Sequence, residues 1–523
     1  MSKVQIVWYK RDLRVADHEP LARAAERGPV LPLYVCEPSW LHADDFDPMH
    51  WTFLSASLEE LRLDLANLGQ PLVVRHGEVV PVLQTLVEVL DVRGIWAYEE
   101  TGNLVSYERD RAVRRWAREA GVSLTEIPTN GVVRRLPTRD VWAGRWEQRM
   151  RQPLTEPPAR LRPVAGIDPG PIPTLADLGL AEDCRTGAQP AGEHRAHTLL
   201  ASFLTDRGED YTRAMSSPLS AEDACSRLSP HLTWGNISMR QVVHAMRART
   251  AQLRDQPPEQ RGGWLRAMSS FEARLHWRDH FIQKLEDEPR IEVGNFVTAY
   301  DGLREDEFDR AKHEAWAAGQ TGYPLIDACM RKLLHTGWVN FRMRAMLVSF
   351  ASYDLWLHWR EPGLHLARVF VDYEPGIHWP QHQMQAGTTG INTLRIYSPT
   401  KQALDQDPTG AFIRTWVPEL AAVPSSFVHQ PWLMPTVTQI AIGCLIGRDY
   451  PAPIVDHNIA AAEAKRRIAL VRHLPETRRQ ADAVQERHGS RRNPSPPTRR
   501  KPSPSAEKPT SAQLPLMSLA GEP

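Results

Sequence analysis

The 523-residue chain carries no CxxC pair, and its five cysteines, Cys36, Cys184, Cys225, Cys329 and Cys444, stand far apart. That spacing gives no support to a zinc ribbon or an iron–sulfur cluster. No GxGxxG follows the first strand signal, so the dinucleotide fingerprint is missing. Nothing approaches a transmembrane run, and the opening MSKVQIVWYKRDLR lacks the apolar core of a signal peptide. Net charge is absent too: 63 basic and 63 acidic residues balance, so any nucleic-acid surface must be a local basic face. A reduced cytoplasmic enzyme of two or three domains is expected.

Tryptophan is present in quantity, 17 in all. Such a number serves either a large aromatic core or a site that uses indoles for stacking or electron transfer. Short Val- and Ile-rich runs at 4–9, 30–35, 71–77 and 94–99 alternate with amphipathic stretches at 53–69 and 107–121. That alternation predicts a parallel, Rossmann-like sheet covered on both faces, an α/β domain over residues 1–134. Residues 135–195, rich in Pro, Gly and Arg, read as an interdomain connection. From 196 to 475 the pattern is helical, an all-α domain. TGYPLIDACMRKLLHTGW predicts a helix broken at Gly337, and 340–359 a second long one. Residues 476–523 read as a basic, Pro/Ser-rich disordered tail.

Three segments carry candidate chemistry. CSRLSPHL (225–232) puts Ser226 and Ser229 at a helix start, where hydroxyls and free N–H groups suit a phosphate or simply cap the helix. Trp277 and Arg278 adjoin on one helix, an indole for stacking beside a fork of donors. Arg342 and Arg344 lie in an apolar helix and need acids, for which Asp372 and Glu374 are the natural candidates. His378 and His382 have zinc-ligand spacing. A zinc site would need a third ligand, however, and Pro380 is expected to spoil the helix between them, so no metal is expected.

WYKRDLRVADHEPL (8–21), CSRLSPHL, the Trp277–Arg278 pair, GQTGYPLIDACMRKLLHTGWV (319–339), RIYSP (395–399) and FIRTWVPEL (412–420) occur in the order seen in the DNA photolyase/cryptochrome family, which the chain resembles over roughly residues 3–450. The resemblance implies an α/β domain able to hold an antenna chromophore, folate or deazaflavin in type, and an all-α C-terminal FAD-binding domain. It implies that Tyr211, Ser226, Leu228, Ser229, Arg278, Arg344, Asp372 and Glu374 bind FAD, with Cys225 standing where many members have Thr. It places His378 opposite the flavin and Trp359 in the middle of a tryptophan electron chain. The outer member is Asp306 here and the inner one His382 or Pro380, so Trp379, Trp356 or Trp338 would have to substitute. On the substrate side it implies Trp277, Arg342 and Met384, with Phe341 replacing an asparagine; Arg274, standing where the family has a glutamate, is added from this sequence alone as a charge for the substrate's phosphates. The expected partner is DNA containing pyrimidine dimers, met by a monomer with no membrane attachment. The expected function is light-driven splitting of cyclobutane dimers. A cryptochrome-type photoreceptor and a flavin-bearing DNA-binding protein with no light step are the alternatives.

Overall fold

The computed structural model describes residues 3–490. Five parallel strands, β1 (Val4–Tyr9), β2 (Val30–Cys36), β3 (Val73–His76), β4 (Val92–Tyr98) and β5 (Ser123–Ile127), pair in the order β3-β2-β1-β4-β5. The central strands are buried on both faces because helices cover both. In β1, Val7 and Tyr9 face the core with Leu21 and Ala24 of α1 (Glu19–Arg27) and with Leu54, Leu58, Leu61 and Leu65 of α2 (Pro48–Asn67). Val4, Ile6 and Trp8 face the opposite core, with Leu83 and Leu86 of α3 (Val79–Val89) and Val113 of α4 (Leu104–Glu119). Side chains alternating across a pleat produce this two-sided burial. Sequence reasoning missed β5: SLTEI is a half-exposed edge strand with little apolar character.

The rest is helical. α5 (Ser229–Trp234), α6 (Trp264–Asp287), α7 (Pro324–Thr336), α8 (Phe341–Ser349) and α9 (Pro375–Ala386) build the region of interest. α7 starts with Pro324 and ends at Gly337 in the left-handed region (φ 72°), as expected. Three expectations need correction. The run 340–359 is not one helix: α8 gives way to a wide turn at Phe350–Asp354, and Trp356 takes a positive φ of 56°. There its ring lies between the guanidinium groups of Arg304 (4.4 Å) and Arg467 (4.3 Å). Pro380 does not break α9, because it sits in the second turn and removes a single hydrogen bond. Pro475–His488 is a helix rather than the start of a tail, anchored by the buried His488 Nε2 on Glu288 (2.8 Å). The expectation for 491–523 lies outside the described residues.

Within 135–195, a helix at Trp142–Met150 buries Trp142 and Trp146 in the helical core. Trp146 donates its indole N–H to Asp279 of α6 (2.9 Å). The sheet module is joined to the helices by buried polar contacts. Asp17 accepts from Ser238 Oγ (2.6 Å) and Arg240 Nε (3.2 Å), and His50 Nε2 donates to the Phe370 carbonyl (3.0 Å). The five cysteines are unpaired. Among the described residues no helix is long and apolar enough to cross a membrane.

Candidate functional site

Arg344, one turn into α8, donates both Nη groups to the two oxygens of Asp372 (2.9 Å each) and its Nε to the Val339 carbonyl (2.8 Å). Its guanidinium carbon lies 4.1 Å from the centroid of the Phe370 ring. A planar fork on a buried carboxylate is the geometry in which arginine cannot be exchanged for lysine. Glu374 does not join this pair. It accepts from Arg278 Nη2 (2.8 Å) and, more loosely, from Arg11 Nη2 (3.4 Å), while Arg11 also holds the Tyr373 carbonyl (3.1 Å) and Thr233 carbonyl (3.0 Å). Arg342 therefore pairs with neither acid, and its buried Nε has no partner. Sequence reasoning gave Arg11 no role, although its place just past β1, at the carboxyl end of a parallel sheet, was the available signal.

Pro375 opens α9 and fixes its first turn. His378 and His382 project from successive turns with ring centroids 4.0 Å apart. His378 gives its Nε2–H to the Gly363 carbonyl (2.8 Å), and His382 its Nδ1–H to the His378 carbonyl (2.9 Å). Burial, and then the neighbouring ring, hold His378 well below the usual imidazole value, and burial takes His382 down to about 4, so both rings are neutral at pH 7. Trp379 sits between His378 (4.8 Å) and Trp359 (5.8 Å), and Trp359 donates to Asn295 Oδ1 (2.7 Å). Met384 is half-buried one turn on. Arg342 Nε, His382 Nε2 and Trp379 Nε1 are buried without partners, two donors and one acceptor.

Along α6, Trp277 is half-buried against His280 (4.8 Å) and Phe281 (5.9 Å). Arg274 is exposed, 5.9 Å from the ring of Phe341, which is itself 50% exposed. Glu272, close to Arg274 in sequence, is engaged elsewhere, with Arg247 Nε (3.0 Å). Tyr211 packs on Phe271 (6.0 Å); burial raises its hydroxyl well above the usual phenol value, against the opposing pull of nearby Arg274. Leu228 lies in the same core. Ser229 Oγ accepts from the indole of Trp338 (3.3 Å), and Arg227, in the left-handed region (φ 59°), covers that indole at 3.9 Å. This contact removes Trp338 from the vicinity of Trp359 and Trp379 as a ring neighbour. Ser226 Oγ accepts from the Leu228 N–H (3.4 Å). Burial pushes the Cys225 thiol up to about 12, so it stays neutral.

A cleft open to solvent lies where the sheet meets the helices. Its walls include Trp8, Tyr34, Trp40, Arg109, Trp234 and Tyr373. Lys10 (4.7 Å) and Arg109 (5.0 Å) cover the Trp8 ring. Burial lifts Glu37 to about 7 despite Arg109 beside it.

Residues 5–138 match the family model for DNA photolyase, and 271–470 match that for the FAD binding domain of DNA photolyase. The chain is 32% identical to a cryptochrome DASH of Gloeobacter violaceus over 88% of its length and 95% of the relative's. It is 31% identical to a deoxyribodipyrimidine photo-lyase of Streptomyces griseus, over 90% and 99%. A bacterial class III photolyase from Agrobacterium tumefaciens superposes with a TM-score of 0.79 at 26% identity, covering 91% of this chain and 98% of that one. The helical half is thus a FAD-binding domain, and the protein belongs to the DNA photolyase/cryptochrome family.

Proposed function

We propose that this protein repairs DNA under blue light by splitting cyclobutane pyrimidine dimers. The observation that carries the reading is the two-pronged Arg344–Asp372 pair, held inside the segment that matches the FAD binding domain of DNA photolyase. Arg274 and Phe341, 5.9 Å apart, are exposed to solvent and Trp277 is half-buried on the same helix as Arg274. Tyr211, Ser226, Leu228, Ser229, Arg278, Arg344, Asp372 and Glu374 would hold FAD, and bound reduced FAD would supply the excited electron that opens the dimer and is returned. The protein's own part is placement and electrostatics. Trp277 and Met384 offer faces on which an extruded pyrimidine pair can stack, and Arg274 and Arg342 offer charge to its phosphates. His378, neutral and held on the Gly363 carbonyl, would border the flavin without adding charge. Trp359 and Trp379 are the indoles placed to pass electrons inward.

Residues 1–134 serve in this reading as the antenna domain. The cleft at the sheet end, walled by indoles and cations, suits a planar chromophore of the folate or deazaflavin kind. Five unpaired cysteines suit a reducing cytoplasm.

The rival reading, a photoreceptor without repair, draws support from the replaced substrate-side residues, Arg274 above all. An oligonucleotide carrying one cyclobutane thymine dimer, incubated with chemically reduced protein in blue light and in darkness, separates the two. Light-dependent loss of the dimer is expected. Intact dimer in the presence of bound, photoactive FAD would overturn repair in favour of the photoreceptor.

A further inference from the structure

Tyr373 stands between the two acids of the flavin loop and points the other way. Its hydroxyl donates to Asp45 Oδ2 at 2.6 Å, across the boundary between the helices and the sheet module. Both partners are buried, 8% and 5% exposed. Asp45 also accepts from the Asn103 amide at both oxygens (3.0 Å each). At the other end of the residue, Arg11 fixes the Tyr373 carbonyl. The ring centroid lies 6.5 Å from that of Trp379, and the Trp379 indole faces the same hydroxyl without closing a hydrogen bond. Trp359, Trp379 and Tyr373 thus form an unbroken run of buried rings.

The three rings differ in where a proton could go. Trp359 and Trp379 are 0% exposed. Trp359 donates to an amide oxygen, which is too weak a base to take the proton, and Trp379 has no acceptor. Only Tyr373 has a carboxylate within proton-transfer distance. Burial, with Asp45 adding to it, keeps the phenol above its ordinary value, so the proton stays on oxygen until the ring is oxidised.

We infer that Tyr373, with Asp45 as its proton acceptor, is the residue on which the oxidising equivalent comes to rest during light-driven flavin reduction. The inference rests on the FAD reading above. Once Trp379 has given one electron to photoexcited oxidised flavin, Tyr373 refills it. One electron passes from the phenol to the indole radical cation, and the phenolic proton passes along the hydrogen bond to Asp45 Oδ2. A neutral indole, a neutral tyrosyl radical and a protonated carboxyl remain. Reversal needs both particles to return, which lengthens the life of the separated charges.

The test uses the full chain carrying oxidised FAD, illuminated and followed by transient absorption and by electron paramagnetic resonance after freezing, with ring-deuterated tyrosine as label. A radical whose spectrum narrows on deuteration is expected in the wild type and should vanish in Tyr373→Phe. In Asp45→Asn it should form roughly 10²-fold more slowly and lose its solvent deuterium effect. FAD absorbance of each variant shows that the pocket still forms. Flavin photoreduction with tryptophan radicals alone, or a tyrosyl signal unchanged in Tyr373→Phe, overturns this inference and leaves the reading of the site standing. Where Tyr373→Phe fails to fold, tryptophan radicals alone in the wild type still overturn the inference. A wild-type protein that binds no FAD, or whose FAD is inert to light, overturns both.

Discussion

Arg344 and Asp372 satisfy one another so fully that neither can be removed alone. Arg344→Ala should leave the Asp372 carboxylate, 3% exposed, without its partner, at a cost of about 3–5 kcal/mol. The expected result is a folded protein purified without yellow colour, checked by flavin absorbance; full FAD occupancy would refute the role assigned to the pair. Glu292 behaves in the opposite sense. It is buried beside Asp45 and accepts from the Leu104 N–H (2.9 Å). Burial, and then Asp45, raise its carboxyl from 4.5 to about 8. Between those values the folded chain keeps a proton that the unfolded chain has released, so stability present below 4.5 declines as pH rises through about 8. Thermal unfolding followed across that window should show Tm falling with pH, and Glu292→Gln should flatten the fall.

At the scale of elements, α6 and α9 lie so close that a Cβ on Gly376 would come within 2.7 Å of the Ile282 Cα. Gly376→Ala must push the helices apart or bend α9, with a loss of about 1–3 kcal/mol and weaker FAD retention. Calorimetry and flavin release on heating measure both. Such close approaches are invisible to periodicity, which explains what could and could not be read from the chain. The α/β alternation and the Gly337 stop were legible because each depends on local pattern. That Arg344 would find its acid at Asp372 or Glu374 was legible because a buried guanidinium has few candidate acids; the choice of Asp372 came from the family resemblance. Glu374 was misassigned to that cluster because its actual partners, Arg278 and Arg11, come from distant elements. The break after Ser349 was missed because every residue through Trp356 is apolar or helix-compatible except Asp354. What strains Trp356 is a pair of arginines from elsewhere in the fold.

At the scale of the molecule, the sheet module and the helices are joined by buried charge rather than by a loose seam. Asp17 has a fully buried side chain and carries Arg240 and Ser238 on its two oxygens. Asp17→Asn should cost about 3–5 kcal/mol, and a single thermal transition should separate into two if docking is what it supports. One unshifted transition would argue that the seam is held elsewhere. The Arg11 contact extends the point to how the protein is made. Arg11 and Glu374 are 363 positions apart, yet both close the same loop. A ribosome delivers the sheet first, and that module can fold while the helices are still being synthesised. Until residues 373 and 374 emerge, Arg11 lacks the Tyr373 carbonyl and Glu374, and Asp45, already holding Asn103, lacks the Tyr373 hydroxyl. A nascent chain stalled before that point would hold a formed sheet and no competent pigment site, so colour can be acquired only after residue 374 has left the ribosome.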